Sequence, residues 1–396
     1  MYTGIDNWLS QPPDKRQYGL VAHPASVTGH GDHTIDVLLQ HGTHVARAFG
    51  PQHGMRGDKQ DNMVESDDYL DPVTGLPVIS LYGQHRRPTS EMLDGLDAIL
   101  FDLQDIGTRI YTFITTLTYI LEACSGTDTS VIVLDRPNPA GREIDGLRLI
   151  EGHESFVGCD TLPMRHGLTV GELARWYVAK HNLDVDLSVV PMTDYHFGAP
   201  DFGWPSPLPW INPSPNAASV NMARCFAGSV LLEGTRLSEG RGTTIPLEVI
   251  GAPDIDPAAL TEVVTDQMPS WLDGCLLRRC YFEPTFHKHV GVLCHGLQLH
   301  AVQPHYNPGH FVPYRLIAGL LRALRTVAPD YDLWHNQAYE YEPDRLPIDV
   351  INGSDQLRRW VDGDDAWGLL EEWVEADLAS WQEERIPHLM YSPQNR

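Results

Sequence analysis

Two nearly continuous apolar runs, DAILFDL at residues 97–103 and SVIVL at residues 130–134, constrain the fold of this chain more than any other feature. A strand with one wet face alternates apolar and polar residues. A run without that alternation reads as a strand covered on both faces, as in a parallel sheet sandwiched by helices. Residues 19–23, 45–49, 77–82 and 187–190 read as further strands. Residues 33–40, 89–96, 112–124 and 169–181 read as helices between them, with Thr89 as an N-cap. Strand and helix alternate, so the expected class is α/β, built on a Rossmann-like, mostly parallel, doubly wound sheet.

The pattern changes further along. Residues 198–216 hold six prolines and two tryptophans and read as a stiff irregular loop. Residues 217–232, 256–267, 313–327 and 369–384 read as helices, and residues 275–282 and 296–302 as strands. A chain of 396 residues has room for two domains. The expected division is a Rossmann-like catalytic domain over residues 1–252 and a smaller α+β auxiliary domain over residues 253–396.

Charge narrows the partners. Asp and Glu number 53 against 28 Lys and Arg, a formal charge of −25, which repels phosphate backbones and anionic membranes. No stretch approaches the roughly 20 apolar residues of a membrane span. The N-terminus lacks the apolar segment of a secretory signal. The six cysteines form no C-x-x-C pair, which fits free thiols in a reducing compartment, so a cytoplasmic location is expected.

In an open parallel sheet, ligands bind beyond the carboxyl ends of the strands. The polar clusters fall there: GPQHGMRGD at 50–58, SLYG at 80–83, QDIGTRIY at 104–111 and DRPNP at 135–139. Turns ask for Gly, Pro, Asn and Asp, not for the arginines that three of these loops carry, Arg56, Arg109 and Arg136. LPMRHG at 162–167 and the glycine-dense EGTRLSEGRGT at 233–243 are similar in character, and dense glycines allow close backbone approach to a ligand. There is no phosphate-binding G-x-x-x-x-G-K-[ST], no G-x-G-x-x-G after the first strand and no G-x-S-x-G elbow. The histidine-rich pieces lack carboxylates in a ligand pattern. Neither cofactor nor metal is expected.

These stretches, together with PTSEML, LDRPNPAG, LPMRHGLTVGELA, PSPN and GAPDID, resemble in order the exo-β-N-acetylmuramidase family. The likeness runs from about residue 19 to 255 and continues more weakly through EPTFHKHVGVLCHGLQLH. It implies a Rossmann-like lobe, a smaller C-terminal lobe and a cleft between them. It also implies release of terminal N-acetylmuramic acid from the non-reducing end of peptidoglycan fragments, without metal or cofactor. One departure stands out. The family's proposed catalytic acid is the glutamate of F-G-P-E-H-G, and this chain has Gln52 there. An amide cannot protonate a leaving oxygen.

Glycoside hydrolysis needs that proton and a nucleophile, which a 2-acetamido sugar can supply from its own carbonyl oxygen. With Gln52 left to orient the acetamide and His53 to assist, the acid must be another carboxylate. Glu239, set among glycines, is the first choice, with Asp105 next; Asp58, Asp61 and Glu65 share the loop after Gln52. Arg56, Arg109 or Arg241 can take a lactyl carboxylate in a bidentate grip. Asp58, Tyr111, Arg136 and Asn138 complete the expected substrate contacts, and Trp204 and Trp210 offer ring faces or inter-lobe packing. The expected partner is a small carbohydrate, a muropeptide or amino-sugar fragment. A hydrolase or transferase on another substrate, or a non-catalytic sugar-binding protein, are the alternatives.

Overall fold

The AILFD segment is buried at every position, as its apolar run Ala98 to Phe101 requires, and forms the centre of the molecule. The computed structural model describes residues 1–57 and 64–391. In chain order the first strands are β1 (Gln17–Ala22), β2 (His44–Gly50), β3 (Tyr69–Leu70), β4 (Pro77–Ser80), β5 (Ala98–Asp102) and β6 (Ser130–Leu134). A short hairpin follows, β7 (Asp145–Arg148) and β8 (Pro163–Arg165), and then β9 (Leu187–Val190). The main sheet has the order β3-β4-β2-β1-β5-β6-β9, and only the β3–β4 pair is antiparallel. The fold is thus the mixed α/β class read from the sequence, with a mostly parallel sheet.

Successive residues of each strand serve opposite faces. Val21, Phe49, Phe101 and Val133 join one core with helices Phe113–Cys124 and Val170–His181, whereas Leu20, Ala48, Leu100 and Ile132 join another with helix Thr34–His41. Chain order reverses at β1, which has β2 on one side and β5 on the other. Loops leaving the carboxyl ends there diverge and leave a crevice.

The second sheet is antiparallel, β10 (Val249–Ala252), β11 (Leu276–Phe282) and β12 (Cys294–His300), in the order β10-β12-β11. β10 precedes the expected division at 252/253 yet pairs in register with β12. The main core runs unbroken from the first sheet through helices Val220–Ser229 and Pro313–Val327 to helix Gly368–Arg385. Helix Val220–Ser229 continues as a tighter 3-10 segment, Val230–Gly234, which delivers Glu233 to the space between the lobes. Among the described residues no helix is long and apolar enough to cross a membrane.

Candidate functional site

A pocket with about 530 Å³ of empty space, its open mouth included, lies beyond the carboxyl ends of β2 and β5. The loop after β2 contributes Gln52 and His53, and the loop after β5 contributes Tyr111 and Thr112. His53 takes the left-handed conformation (φ +72°), and Gly54 follows at φ +80°. That tight turn, closed by the Gly54 amide donating to the Pro51 carbonyl at 2.9 Å, sets Gln52 and His53 on the pocket wall. The other wall comes from later in the chain: Ser214 and Asn216 of the proline-rich loop, Glu233, Arg241, Tyr339 and Glu340. Met222, Phe226, Val230 and Leu247 supply an apolar lining.

Glu340 is the chemically distinctive group. It sits on a turn in which the Glu342 amide donates to the Tyr339 carbonyl at 2.9 Å. Both central residues have positive φ, +43° at Glu340 and +69° at Tyr341. Turns of that form normally take Gly or Asn, and a bulkier residue there costs about 1–3 kcal/mol. The surroundings hold it in place. The Gln52 amide donates to one Glu340 oxygen at 3.2 Å, and the Tyr82 hydroxyl donates to the other at 2.9 Å. Burial pushes the Glu340 carboxyl above its ordinary value, against the pull of Tyr82 and Gln52, and the nearby Glu233 charge adds to the rise. Gln52 is itself fixed, its carbonyl accepting from the Thr112 hydroxyl at 2.8 Å.

Glu233 is the second carboxylate of the pocket. Arg241 donates to it at 2.6 Å and the Tyr339 hydroxyl at 2.7 Å. The pocket therefore holds two carboxyl groups in unlike settings: one tied to a guanidinium, the other raised by burial and hydrogen-bonded by Gln52 and Tyr82. Such pairs divide acid from charge-stabilising roles.

Of the residues expected from the sequence, Gln52, His53, Tyr111 and Arg241 line this pocket. Asp58 and Asp61 lie outside the described residues. The remainder do not line this pocket. Glu239 is fully buried, with Lys288 at 2.9 Å, Arg241 at 3.2 Å and His287 at 3.5 Å. Burial alone would raise its carboxyl, but Lys288 and Arg241 outweigh it and hold it down at about 2. A carboxyl held ionised by Lys288 and Arg241 is poorly suited to donate a proton, and Glu239, the first choice from sequence, does not line this pocket. The glycines around it face protein: a Cβ on Gly242 would meet the Phe286 amide nitrogen at 2.6 Å, and one on Gly240 the Val249 side chain at 2.3 Å.

Arg109, Arg136 and Arg56 likewise lie outside this pocket, engaged by partners within the chain. Arg109 is buried and donates to four carbonyls, Leu147 at 3.0 Å, Leu162 at 2.7 Å, Ile351 at 3.0 Å and Asn352 at 2.7 Å. Burial pushes its guanidinium down to about 10. Arg136 grips Asp102 at 2.6 and 2.7 Å, and Arg56 grips Asp71 at 3.0 Å through both nitrogens. Asn138 closes a turn onto the Ala140 amide and donates to the Leu168 carbonyl. Asp105 accepts from the Gly107 amide at 2.7 Å and faces the buried His166 at 3.6 Å. Trp204 and Trp210 pack edge to face, with centroids 4.9 Å apart. Among the described residues, no group of three or more His, Cys, Asp or Glu side chains is arranged to hold a metal ion.

The comparisons with known proteins cover the whole of this arrangement. Residues 18–221 match the family described as exo-beta-N-acetylmuramidase NamZ, N-terminal, and residues 224–391 match its C-terminal counterpart. The chain is 42% identical over 305 residues to the peptidoglycan beta-N-acetylmuramidase NamZ of Bacillus subtilis (strain 168), covering 75% of this chain and 72% of that protein. In fold it is similar to a DUF1343 family protein from Bacteroides fragilis, with a TM-score of 0.84, 27% identity and 99% of each chain covered. A second such protein from the same organism, 24% identical, shares the fold with a TM-score of 0.75.

Proposed function

Because the chain belongs to the exo-β-N-acetylmuramidase family, we propose that it is a glycosidase that removes terminal N-acetylmuramic acid-type sugars from peptidoglycan fragments, with Glu340 as the proton donor. The observation that carries this reading is the Glu340 carboxyl itself. It is buried in the pocket, raised above its ordinary value and held on a strained turn by Gln52 and Tyr82. Strain maintained at a pocket-lining acid is the kind of feature that function, not stability, explains.

In this reading Glu340 gives its proton to the leaving glycosidic oxygen, while the substrate's acetamide oxygen attacks the anomeric carbon. Gln52 positions the acid; its carbonyl is already engaged by Thr112. Glu233, with Arg241 behind it, faces the positive charge that develops on the sugar ring. Met222, Phe226, Val230 and Leu247 keep bulk water from that region and so strengthen each electrostatic contact. Water then opens the cyclised sugar, and Glu340, now ionised, takes a proton from it.

The fragments are small muropeptide or amino-sugar units, and the six unpaired cysteines support a cytoplasmic setting in which recycled wall fragments are the supply. Turnover of a chromogenic N-acetylmuramoside, with weaker turnover of the matching N-acetylglucosaminide, is the expected result. Preference for the glucosaminide, or binding of the muramoside without turnover, contradicts the reading. Cell fractionation with the protein in the envelope or medium contradicts the location.

A further inference from the structure

Glu340 stands between two pockets. The second is a depression with about 790 Å³ of empty space, its open mouth included, whose wall includes Arg86, Arg87, Phe156, Tyr341 and Glu342. The Arg86 guanidinium lies 3.8 Å over the Tyr341 ring, and that of Arg87 lies 3.7 Å over the Tyr119 ring. Such stacking pre-orients a guanidinium and leaves its edge free to meet a planar anion.

The carboxylates around this depression already have partners. Arg87 is ion-paired to Glu122, which also accepts from the Tyr177 hydroxyl at 2.5 Å. Glu342 pairs with Arg345 at 2.9 Å. Glu154 accepts from the Gly152 amide at 2.8 Å, and Glu65 accepts from the Tyr341 hydroxyl at 3.0 Å. In the first pocket Arg241 is shared between Glu233 and Glu239. Among the described residues lining the two pockets, Arg86 is the arginine with no carboxylate within ion-pairing distance. The Arg86 charge acts on the Glu340 carboxyl without forming an ion pair with it, and in a chain of net charge −25 such a half-buried guanidinium is poised for an anion from outside.

We infer that the second pocket is the subsite for the substrate's own carboxylate, with Arg86 as its principal contact. The inference rests on the glycosidase reading above and deepens it. A muramoyl unit offers that carboxylate from two sources, the lactyl group when no peptide is attached and the stem peptide when one is. Either source makes the same bidentate Arg–carboxylate pair, and holding it fixes the sugar relative to Glu340.

The test compares wild type, Arg86→Gln and Arg86→Lys in turnover and in equilibrium binding. The substrates are a chromogenic N-acetylmuramoside, its lactyl carboxamide analogue and a peptide-bearing muramoyl disaccharide. Binding is read with free N-acetylmuramic acid and N-acetylglucosamine. Loss of a charge-assisted bidentate contact is expected to raise KM for carboxylate substrates about 10- to 100-fold in Arg86→Gln, with kcat changed less than about threefold. Arg86→Lys recovers part of the loss. The carboxamide analogue shows no further loss, and thermal stability is unchanged. A loss confined to the peptide-bearing substrate assigns the subsite to the stem peptide; a loss on the peptide-free muramoside assigns it to the lactyl group. Unchanged KM on both, or an equal loss on the carboxamide, overturns the inference. A wild type that binds N-acetylmuramic acid without turning over any muramoside refutes the glycosidase reading instead. The binding difference between wild type and Arg86→Gln then decides the subsite on its own.

Discussion

Replacing Gln52 by Glu puts a second carboxylate beside Glu340, and the geometry predicts that activity falls. The Gln52 amide nitrogen lies 3.2 Å from a Glu340 oxygen. In Gln52→Glu the Thr112 hydroxyl can still donate to one oxygen at position 52, so the other faces Glu340 where a donor stood. Two carboxylates at that separation repel by about 5 kcal/mol at an effective dielectric constant near 20. That energy displaces the second ionisation by about four pH units, so the pair holds one proton through neutrality and titrates as a unit. The proton lies between the two carboxyl groups, and handing it to a leaving oxygen breaks a charge-assisted hydrogen bond worth about 1.5–3 kcal/mol. Neutral-pH turnover therefore falls about 10- to 100-fold. The sign for pH follows from the acid's role: a proton donor works below its pKa and fails as pH rises through it. Wild type, with Glu340 raised, stays active above the ordinary glutamate range, and the variant's basic limb moves further alkaline. The assay is kcat/KM on an N-acetylmuramoside from pH 4 to 9. A large gain in turnover, or a basic limb that does not move, refutes the reasoning.

Glu239→Gln acts on stability. A carboxyl lowered from 4.5 to about 2 contributes about 3 kcal/mol that is present above pH 4.5 and lost as pH falls toward 2, and removing it leaves Lys288 and Arg241 short of a buried counter-charge. Chemical denaturation at pH 7 should show a loss of about 3–5 kcal/mol, with kcat of the folded enzyme changed less than about tenfold; a hundredfold loss of kcat at unchanged stability returns Glu239 to the chemistry. Arg109→Met strips four buried carbonyls of their donor, a loss of at least about 4 kcal/mol. KM of the folded enzyme for an N-acetylmuramoside stays unchanged, and a stable variant with selectively raised KM for lactyl-bearing sugars contradicts that.

The sheet was legible because its strands are buried on both faces. AILFD and SVIVL carry no polar residue except at the ends, and no other element places such a run. β7, β8 and β10 were not, because each is short and lacks a continuous β-branched run, and β10 also gains its pairing from β12, more than 40 residues along the chain. The first half of the pocket was legible through the rule for carboxyl ends of parallel strands, which located Gln52, His53 and Tyr111. The arginines are not told apart by sequence. A guanidinium satisfied by four carbonyls, as in Arg109, and one open to a ligand, as in Arg86, have the same letter, and only burial separates them. Glu340 lies in Tyr339-Glu340-Tyr341-Glu342, a stretch without motif or glycine. Its left-handed backbone is imposed by tertiary contacts with Gln52 and Tyr82, which local sequence does not encode. Tyr82 itself lay in SLYG, a loop marked by the strand rule, and was the nearest signal to the acid.

The central claim is that Glu340 protonates the leaving group, and the most direct measurement is kcat of Glu340→Gln on two substrates of unlike leaving-group acidity. Gln keeps the shape and the contacts to Gln52 and Tyr82 within reach but carries no proton to give. On a muramoyl disaccharide, whose sugar leaving group needs protonation, kcat should fall about 100- to 10,000-fold. On a dinitrophenyl muramoside, whose leaving group departs as a stable anion, the loss should be at least about tenfold smaller. Equal losses on both substrates, or an undiminished rate on the disaccharide, contradict Glu340 as the acid.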